Sequence, residues 1–416
     1  MKNIKNILLF FVFCLCFVLS SCDVPVEGTD EAKLHNVLHW EIVDEVGCEK
    51  DGYRFGMCID CLNEIRDIQK AKGHDYRNGA CVRCGAVVPS EDSESFGYFA
   101  KYELEPGGKG YALISAGKFS GKAAVIPEEH EGLPVVKIGE WAFYSTVGVE
   151  EIIIPDSVEI IMNGAFSGCE KLERITIGKS VVSLGERAFE KCINLREVIL
   201  PSTLEIIGSY CFVGCEKLAN VRADGCVQIS SYAFKDCEML HEFNFPKMLK
   251  QIGEGAFESS GLVSADLPES VIKIGRRAFA GSALQTVTLP SKITDRTESL
   301  FDGCNSLRIA TLKTNLIRQE FSGCKNLEAI IFTDDVIAIH YNSIASSCGA
   351  KTLYFPKGIH FMYFPISECR SLETLVYAGT AKEFLAISGA KSVFELYSNI
   401  KIVCTDKVLV KSDIAN

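Results

Sequence analysis

Four cysteines in the first quarter of the chain have the type and spacing to hold a metal. Cys58-Ile-Asp-Cys61 and Cys81-Val-Arg-Cys84 are two Cys-x-x-Cys pairs separated by 19 residues. Each pair can wrap one side of a tetrahedral zinc ion, and four thiolates complete its coordination. A site closed by four protein ligands leaves no position for water, so a zinc here is expected to be structural rather than catalytic. His39, Cys48 and His74 are substitute ligands from the same stretch. Disulfides, or a mixture of bridged and free thiols, answer the same spacing in a chain that leaves the cytoplasm. The need is common to all three readings, because residues 35–89 are too few to bury a self-sufficient core.

A fifth cysteine points to covalent chemistry of another kind. Lys2 and Lys5 precede the apolar run Ile7 to Leu19, and Ser20-Ser21 precede Cys22. A basic start, a short apolar stretch and small residues form the pattern of a cleavable secretory signal rather than a bilayer span. Leu19-Ser20-Ser21-Cys22 resembles the lipobox of bacterial lipoproteins. That resemblance implies cleavage before Cys22 and a lipid on its sulfur; an ordinary secretory signal beside an unrelated cysteine is the other reading. Residues 1–21 are thus expected to be a signal peptide and 22–34 an acidic tether. The chain would be exported to the bacterial cell envelope, lipid-anchored at the membrane or cell surface.

Eight of the 19 cysteines follow a clock instead. From Trp141 onward, a phrase of the form G-x-x-A-F-x-x-C-x-x-L-x-x-I-x-L-P-x-x-V-x-x-I returns every 20 to 24 residues. Its aromatic falls at Phe143, Phe166, Phe189, Phe212, Phe234, Phe257, Phe279, Phe301 and Phe321. Its cysteine falls at Cys169, Cys192, Cys215, Cys237, Cys304, Cys324, Cys348 and Cys369, with Ser260 and Ser282 in the same slot. Stacked cysteines invite metal binding or bridges between rungs. Side chains of one ladder point the same way, however, which is poor disulfide geometry. Small buried thiols packing a corner are the expected state.

A fixed period of this length requires a stacked solenoid, each unit burying its apolar edge against its neighbours. Segments such as Arg174-Ile175-Thr176-Ile177 alternate inward apolar with outward variable residues, as a half-exposed strand does. Pro155, Pro201, Pro246, Pro268, Pro290 and Pro356 end these strands, since proline cannot donate to the ladder. Val-x-x-Ile-Gly reads as a short return strand and Ala-Phe-x-x-Cys as a tight, helical or 3-10 corner with phenylalanine inside. Upstream, residues 90–97 read as a linker. Residues 98–140 read as a capping hairpin around Pro106-Gly107-Gly108-Lys109-Gly110, followed by a first atypical repeat. Repeats with a C-terminal cap fill 141–404, and 405–416 is a tail.

The repeats resemble the BspA-like leucine-rich repeats of bacterial surface proteins. Carrying phrases are Ile153-Ile154-Pro155-Asp156-Ser157-Val158, Leu204-Glu205-Ile206-Ile207-Gly208 and Ile274-Gly275-Arg276-Arg277-Ala278-Phe279-Ala280-Gly281. Glu131-Gly132-Leu133-Pro134-Val135 is similar to the family's opening, and Leu375 to Phe384 to its last repeat. The match departs at Thr294 to Leu300 and Ile337 to Ala350. The fold implied is a curved leucine-rich-repeat array, mostly β with short helical or 3-10 turns and a parallel concave sheet. A small zinc-ribbon-like cysteine module precedes it.

Function is expected to be binding rather than catalysis. A formal charge of −11 provides no general basic face for nucleic acid. His130, His241, His340 and His360 sit at unrelated phases of the repeat, with no recurring carboxylate or serine partner, so no catalytic residue is assigned. The Gly-rich loop at 107–110 lacks the Lys-Ser/Thr and following helix of a phosphate cradle. The candidate partner-binding residues are the outward positions midway along each strand. They are Ile153, Thr176, Ile199, Arg222, Asn244, Asp266, Thr288, Thr311, Ile331, Tyr354 and Val376, expected to form one stripe. The family resemblance implies a protein partner on a host or neighbouring cell, or in the matrix. An envelope scaffold without a soluble ligand, and an enzyme-associated lipoprotein, are the alternatives.

Overall fold

A computed structural model describes residues 100–413, except residue 118, residue 398 and the segments 295–298, 315–320, 340–347 and 363–368, together with five strands between residues 41 and 81. The chain divides into two compact units, Met1–Asp92 and Ser93–Asn416. In the first, strands Glu41–Asp44, Gly52–Met57 and Glu64–Gln69 form an antiparallel sheet, and Tyr76–Arg77 pairs antiparallel with Ala80–Cys81.

The second unit is a β-solenoid of about 11 turns. Two parallel ladders run along it. The short-strand ladder follows the Val-x-x-Ile phrase through Ile160–Ile161, Ser183–Leu184, Ile206–Ile207, Gln228–Ile229, Gln251–Ile252 and Lys273–Ile274. Its N-terminal edge is closed as expected by a hairpin, Lys101–Leu104 antiparallel to Tyr111–Ser115. The long-strand ladder, which carries the pre-proline segments, comes in two blocks rather than one sheet. Five strands run from Ala123–Val125 to Asn220–Arg222, and eight run from Ser264–Asp266 to Val408–Leu409.

The break falls at residues 241–245, which form no strand. Here the two inward positions hold Phe243 and Phe245, where adjacent rungs hold Val221 with Ala223 and Ala265 with Leu267. The Phe243 ring lies 5.3 Å from both Phe234 and Phe257, and the Phe245 ring 5.6 Å from Phe257. Two rings in place of aliphatic side chains move this rung off the ladder register, and the flanking alanines absorb the added volume. One link survives, from the Val263 N–H to the His241 carbonyl at 3.0 Å.

The interior is a spine of phenylalanines. From Phe143 to Phe321 nine fully buried rings succeed one another, with centroids 5.1 to 5.8 Å apart. Offset stacking of this kind adds to area burial. The corners that hold the rings are hydrogen-bonded turns, not helices. Thr146 N–H donates to Phe143 O at 3.0 Å, and Phe166 N–H donates across to Ala188 O of the next repeat at 2.8 Å. The residue two before the spine phenylalanine is left-handed at Trp141, Arg187, Tyr210, Tyr232 and Arg277 (φ 56 to 58°), with Gly164 at φ 61° and Gly255 at φ 56° doing the same. At Gly164 a Cβ would meet the Trp141 ring at 2.2 Å, so the tryptophan lies flat on the next repeat only because that residue is glycine.

Cysteine occupies its slot for a hydrogen bond. The thiols of Cys169, Cys192, Cys215 and Cys237 donate to the carbonyls of Phe143, Phe166, Phe189 and Phe212, each one repeat earlier, at 3.1 to 3.2 Å. Cys304 and Cys324 do the same to Phe279 and Phe301 at 3.0 and 3.1 Å. Burial pushes the Cys169 thiol up to about 12 and those of Cys192 and Cys215 well above the ordinary range, so all stay protonated donors. These thiols are free, as the sequence led us to expect. Serine serves the slot less well. The Ser260 hydroxyl is buried without a partner, and Ser282 meets only the Cys304 sulfur, at 3.4 Å. Ser260→Cys should therefore supply the missing donor toward Phe234 and stabilise the array by about 1 kcal/mol, read as a higher melting temperature. An unchanged or lower melt would refute this account of the slot.

The C-terminal end is closed by two short helices, α1 (Ala381–Ala386) and α2 (Ser392–Leu396), and by an antiparallel strand, Val408–Leu409, on Lys401–Val403. A capping box starts α1: Thr380 and Glu383 bond each other reciprocally. The Thr380 backbone N–H, with Lys357 beside it, holds the Glu383 carboxyl down at about 2. Leu409 is fully buried, so ordered structure continues into the stretch read as a tail.

Candidate binding face

Successive residues of a strand face opposite ways, so each long strand presents two positions outward. The two outward rows differ in what their side chains do. The row beginning at Glu151, with the residues just before it, is tied across rungs by charge. Arg174 reaches Glu151 at 3.4 Å, Arg196 reaches Glu173 at 3.7 Å, and Arg308 reaches Glu328 at 2.6 Å. Exposed pairs of this kind contribute little individually, about 0–1 kcal/mol, and only the first lies within the row, the other two standing one residue before it.

The second row is the one picked out from the sequence, and its side chains are uncommitted. Ile153, Thr176, Ile199 and Arg222 line the five-stranded block, where Ile153 pairs with Thr176 and Ile199 with Arg222. In the eight-stranded block Asp266, Thr288, Thr311, Ile331, Tyr354 and Val376 are consecutive register partners. Ile153 and Ile199 are 37% and 50% exposed, large for β-branched residues on a sheet. Among the described residues, no side-chain hydrogen bond or ion pair occupies Thr176, Arg222, Asp266, Thr288, Thr311 or Tyr354. Partial burial raises the Tyr354 hydroxyl above its ordinary value, so it stays a neutral donor.

The expectation of one unbroken stripe needs correction. Asn244 belongs to the strandless rung at 241–245, so the row is two runs with a step between them. Two members were also missed. Val125 pairs with Ile153 at the N-terminal end and is 44% exposed, and Val403 pairs with Val376 at the other. Val125 stands two residues before Pro127, the same phase as the rest, and that signal could have found it. At about 4.8 Å per rung the C-terminal run of seven residues is roughly 29 Å long. A cleft of about 520 Å³ opens where the strands of this block begin, lined by Gln285, Arg308, Lys325, Asn326, Glu328 and Lys351 among others.

The His130 ring stacks on Tyr102 at 3.9 Å, with Tyr111 edge-on at 4.8 Å, and His241 Nδ1 lies 3.2 Å from Gly261 O. His340 lies outside the described residues, as do Cys22, Cys58, Cys61 and Cys84. Cys81 ends the two-residue strand Ala80–Cys81.

The BspA type leucine-rich repeat region matches the chain in six copies, over residues 136–263, 227–347 and 316–386, which is more than half of it. The chain belongs to the BspA-type leucine-rich-repeat family. Solved structures of bacterial leucine-rich repeat proteins are similar to this BspA-type array. A leucine-rich repeat protein from Bacteroides ovatus is 20% identical, with 73% of this chain and 97% of that chain covered at a TM-score of 0.40. The T. pallidum leucine rich repeat protein is 30% identical, with 55% and 88% covered at 0.31. A leucine rich cell surface protein from Faecalibacterium prausnitzii is 21% identical, with 70% and 96% covered at 0.29. No curated protein matches the chain. Among the described residues, no helix is long and apolar enough to cross a membrane.

Proposed function

We propose that the protein is a lipid-anchored cell-surface binding protein whose repeat array presents the second outward row to a protein partner. The observation that carries this reading is the contrast between the two rows. Ion pairs between rungs lie on and beside the first row, while the second has none and leaves threonine, tyrosine, isoleucine and aspartate side chains in register and unpaired. A linear row some 29 Å long on an open sheet matches an extended macromolecular contact better than a small ligand, which needs enclosure. Lys325 and Lys351 in the adjoining cleft favour carboxylates at the partner's rim. Capture of a protein from extracellular-matrix and envelope fractions by the full mature chain, lost when Asp266, Thr288 and Tyr354 are replaced together, tests the reading.

Anchoring rests on Cys22. Cys22→Ser should leave the chain without lipid and move it from the membrane to the soluble fraction. A variant that still partitions with membranes would rule the lipobox out. Cys58, Cys61, Cys81 and Cys84 are proposed to hold one structural zinc. The tight hairpin of Tyr76–Arg77 with Ala80–Cys81 supports this, since it delivers Cys81 at a strand end with Cys84 three residues on, as a metal knuckle requires. Metal analysis should return about one zinc per chain. Paired oxidised masses for these four cysteines, with no metal bound, would assign them to disulfides instead.

A further inference from the structure

The cleft at the strand starts owes its shape to the turns around it. In the rungs of Cys304 and Cys324 two residues separate the cysteine from a buried leucine, Asn305-Ser306 and Lys325-Asn326. Only Gly349 separates Cys348 from buried Ala350. That shorter turn lies directly against the rung before it. The Gly349 N–H donates to Cys324 O at 3.0 Å, and a Cβ on Gly349 would meet Lys325 O at 2.1 Å. A step without a side chain thus borders the fuller Lys325-Asn326 turn, and both line the cleft of about 520 Å³. One position repeated on four rungs completes it: Gln285, Arg308, Glu328 and Lys351, each N–H donating to the preceding carbonyl at 2.8 to 3.1 Å. Arg308 and Glu328 neutralise each other, the guanidinium donating to the carboxylate at 2.9 and 2.6 Å. Lys325 and Lys351 are exposed, and among the described residues neither has an ion pair or a side-chain hydrogen bond. The side chains of Gln285 and Ser306 are likewise unengaged. Two unpaired ammonium groups therefore converge on one cleft of a chain whose formal charge is −11.

We propose that this cleft binds a short oligosaccharide that carries carboxylates, a uronic-acid glycan. Lys325 and Lys351 meet its carboxylates, and Gln285, Ser306 and Asn326 meet its hydroxyls. A carboxamide or a hydroxyl both donates and accepts, as a sugar hydroxyl does, while an ammonium donates to a carboxylate with the added strength of charge. The volume is that of a small-ligand site. Among the lining side chains only Leu327 is apolar, and it is 1% exposed, so an apolar ligand would gain no surface there. An extended peptide docks on a sheet by adding to its backbone ladder. That route is closed here, because the N–H groups of Arg308, Glu328 and Lys351 already donate to the preceding rung. The inference rests on the binding reading in one respect: the carboxylates that the two lysines favour are assigned to a glycan. The cleft shares no residue with the second outward row, so the two can fail separately.

Trigalacturonic acid titrated into the full chain by calorimetry tests this, at low salt where attraction between ammonium and carboxylate is least screened. The parent should bind it saturably at one site and should not bind maltotriose, a neutral trisaccharide. Lys325→Gln combined with Lys351→Gln should weaken binding about tenfold or more while the circular-dichroism melt stays at the parent's, since both side chains are exposed. The variant with Asp266, Thr288 and Tyr354 replaced should bind the triuronate as the parent does, whatever becomes of its protein capture. The inference is overturned if the parent does not bind the triuronate, or if the double lysine variant binds it undiminished. It is equally overturned if an amidated triglutamate, with the same number of carboxylates, binds as tightly, which would give the cleft to an acidic protein segment. Loss of triuronate binding on changing Asp266, Thr288 and Tyr354 would overturn it too, by moving the glycan to the outward row.

Discussion

Phe212→Ala should lower the stability of the array by roughly 3–5 kcal/mol, among the largest costs a single substitution can impose here. Phe212 is fully buried, with Phe189 at 5.3 Å and 3° on one side and Phe234 at 5.3 Å and 6° on the other. Removing the ring leaves a cavity and ends two stacking contacts at once. The surrounding backbone can close little of the gap, because each corner is bonded to the rungs on both sides. Phe212 N–H donates to Ala233 O at 2.8 Å, and its own carbonyl accepts the Cys237 thiol at 3.2 Å. Because a solenoid is a chain of nearest-neighbour interfaces, a weak rung near its middle also divides the cooperative unit. Calorimetry should show the single transition of the parent becoming two, the earlier one well below the parent's. A variant that melts once, within a degree or two of the parent, would mean that the aromatic spine does not couple the repeats.

The period of the array was open to sequence reading because every rung repeats the same physical task. Phenylalanine, leucine and the pre-proline alternation recur since each rung must fill the same cross-section, so one repeat's pattern predicts the next. The ladder break was not legible in this way. Phe243 and Phe245 satisfy the apolar pattern as well as valine or leucine would, and only their volume against Val221 and Ala265 moves the rung off register. The outward row was located by its phase in the repeat, and ten of the eleven named residues fall on strands; Asn244 holds the same phase before Pro246 but lies in the strandless rung.

The idle outward row is the centre of the functional account, and one comparison tests it most directly. Asp266, Thr288 and Tyr354 lie in the eight-stranded block, with Asp266 and Thr288 direct register partners. All three project from the sheet without supporting a neighbour. The triple variant Asp266→Ala, Thr288→Lys, Tyr354→Ala should weaken capture of the partner isolated with the parent chain at least tenfold, about 1.4 kcal/mol or more. Its circular-dichroism melt should stay close to the parent's. Ile206→Lys with Ile272→Lys alters exposed positions near the short-strand ladder instead, where the side chains are 49% and 37% exposed. That variant should bind as the parent does. Undiminished capture by the triple variant, together with loss of capture when Ile206 and Ile272 are changed, would contradict the account and move the binding face to the other side of the solenoid.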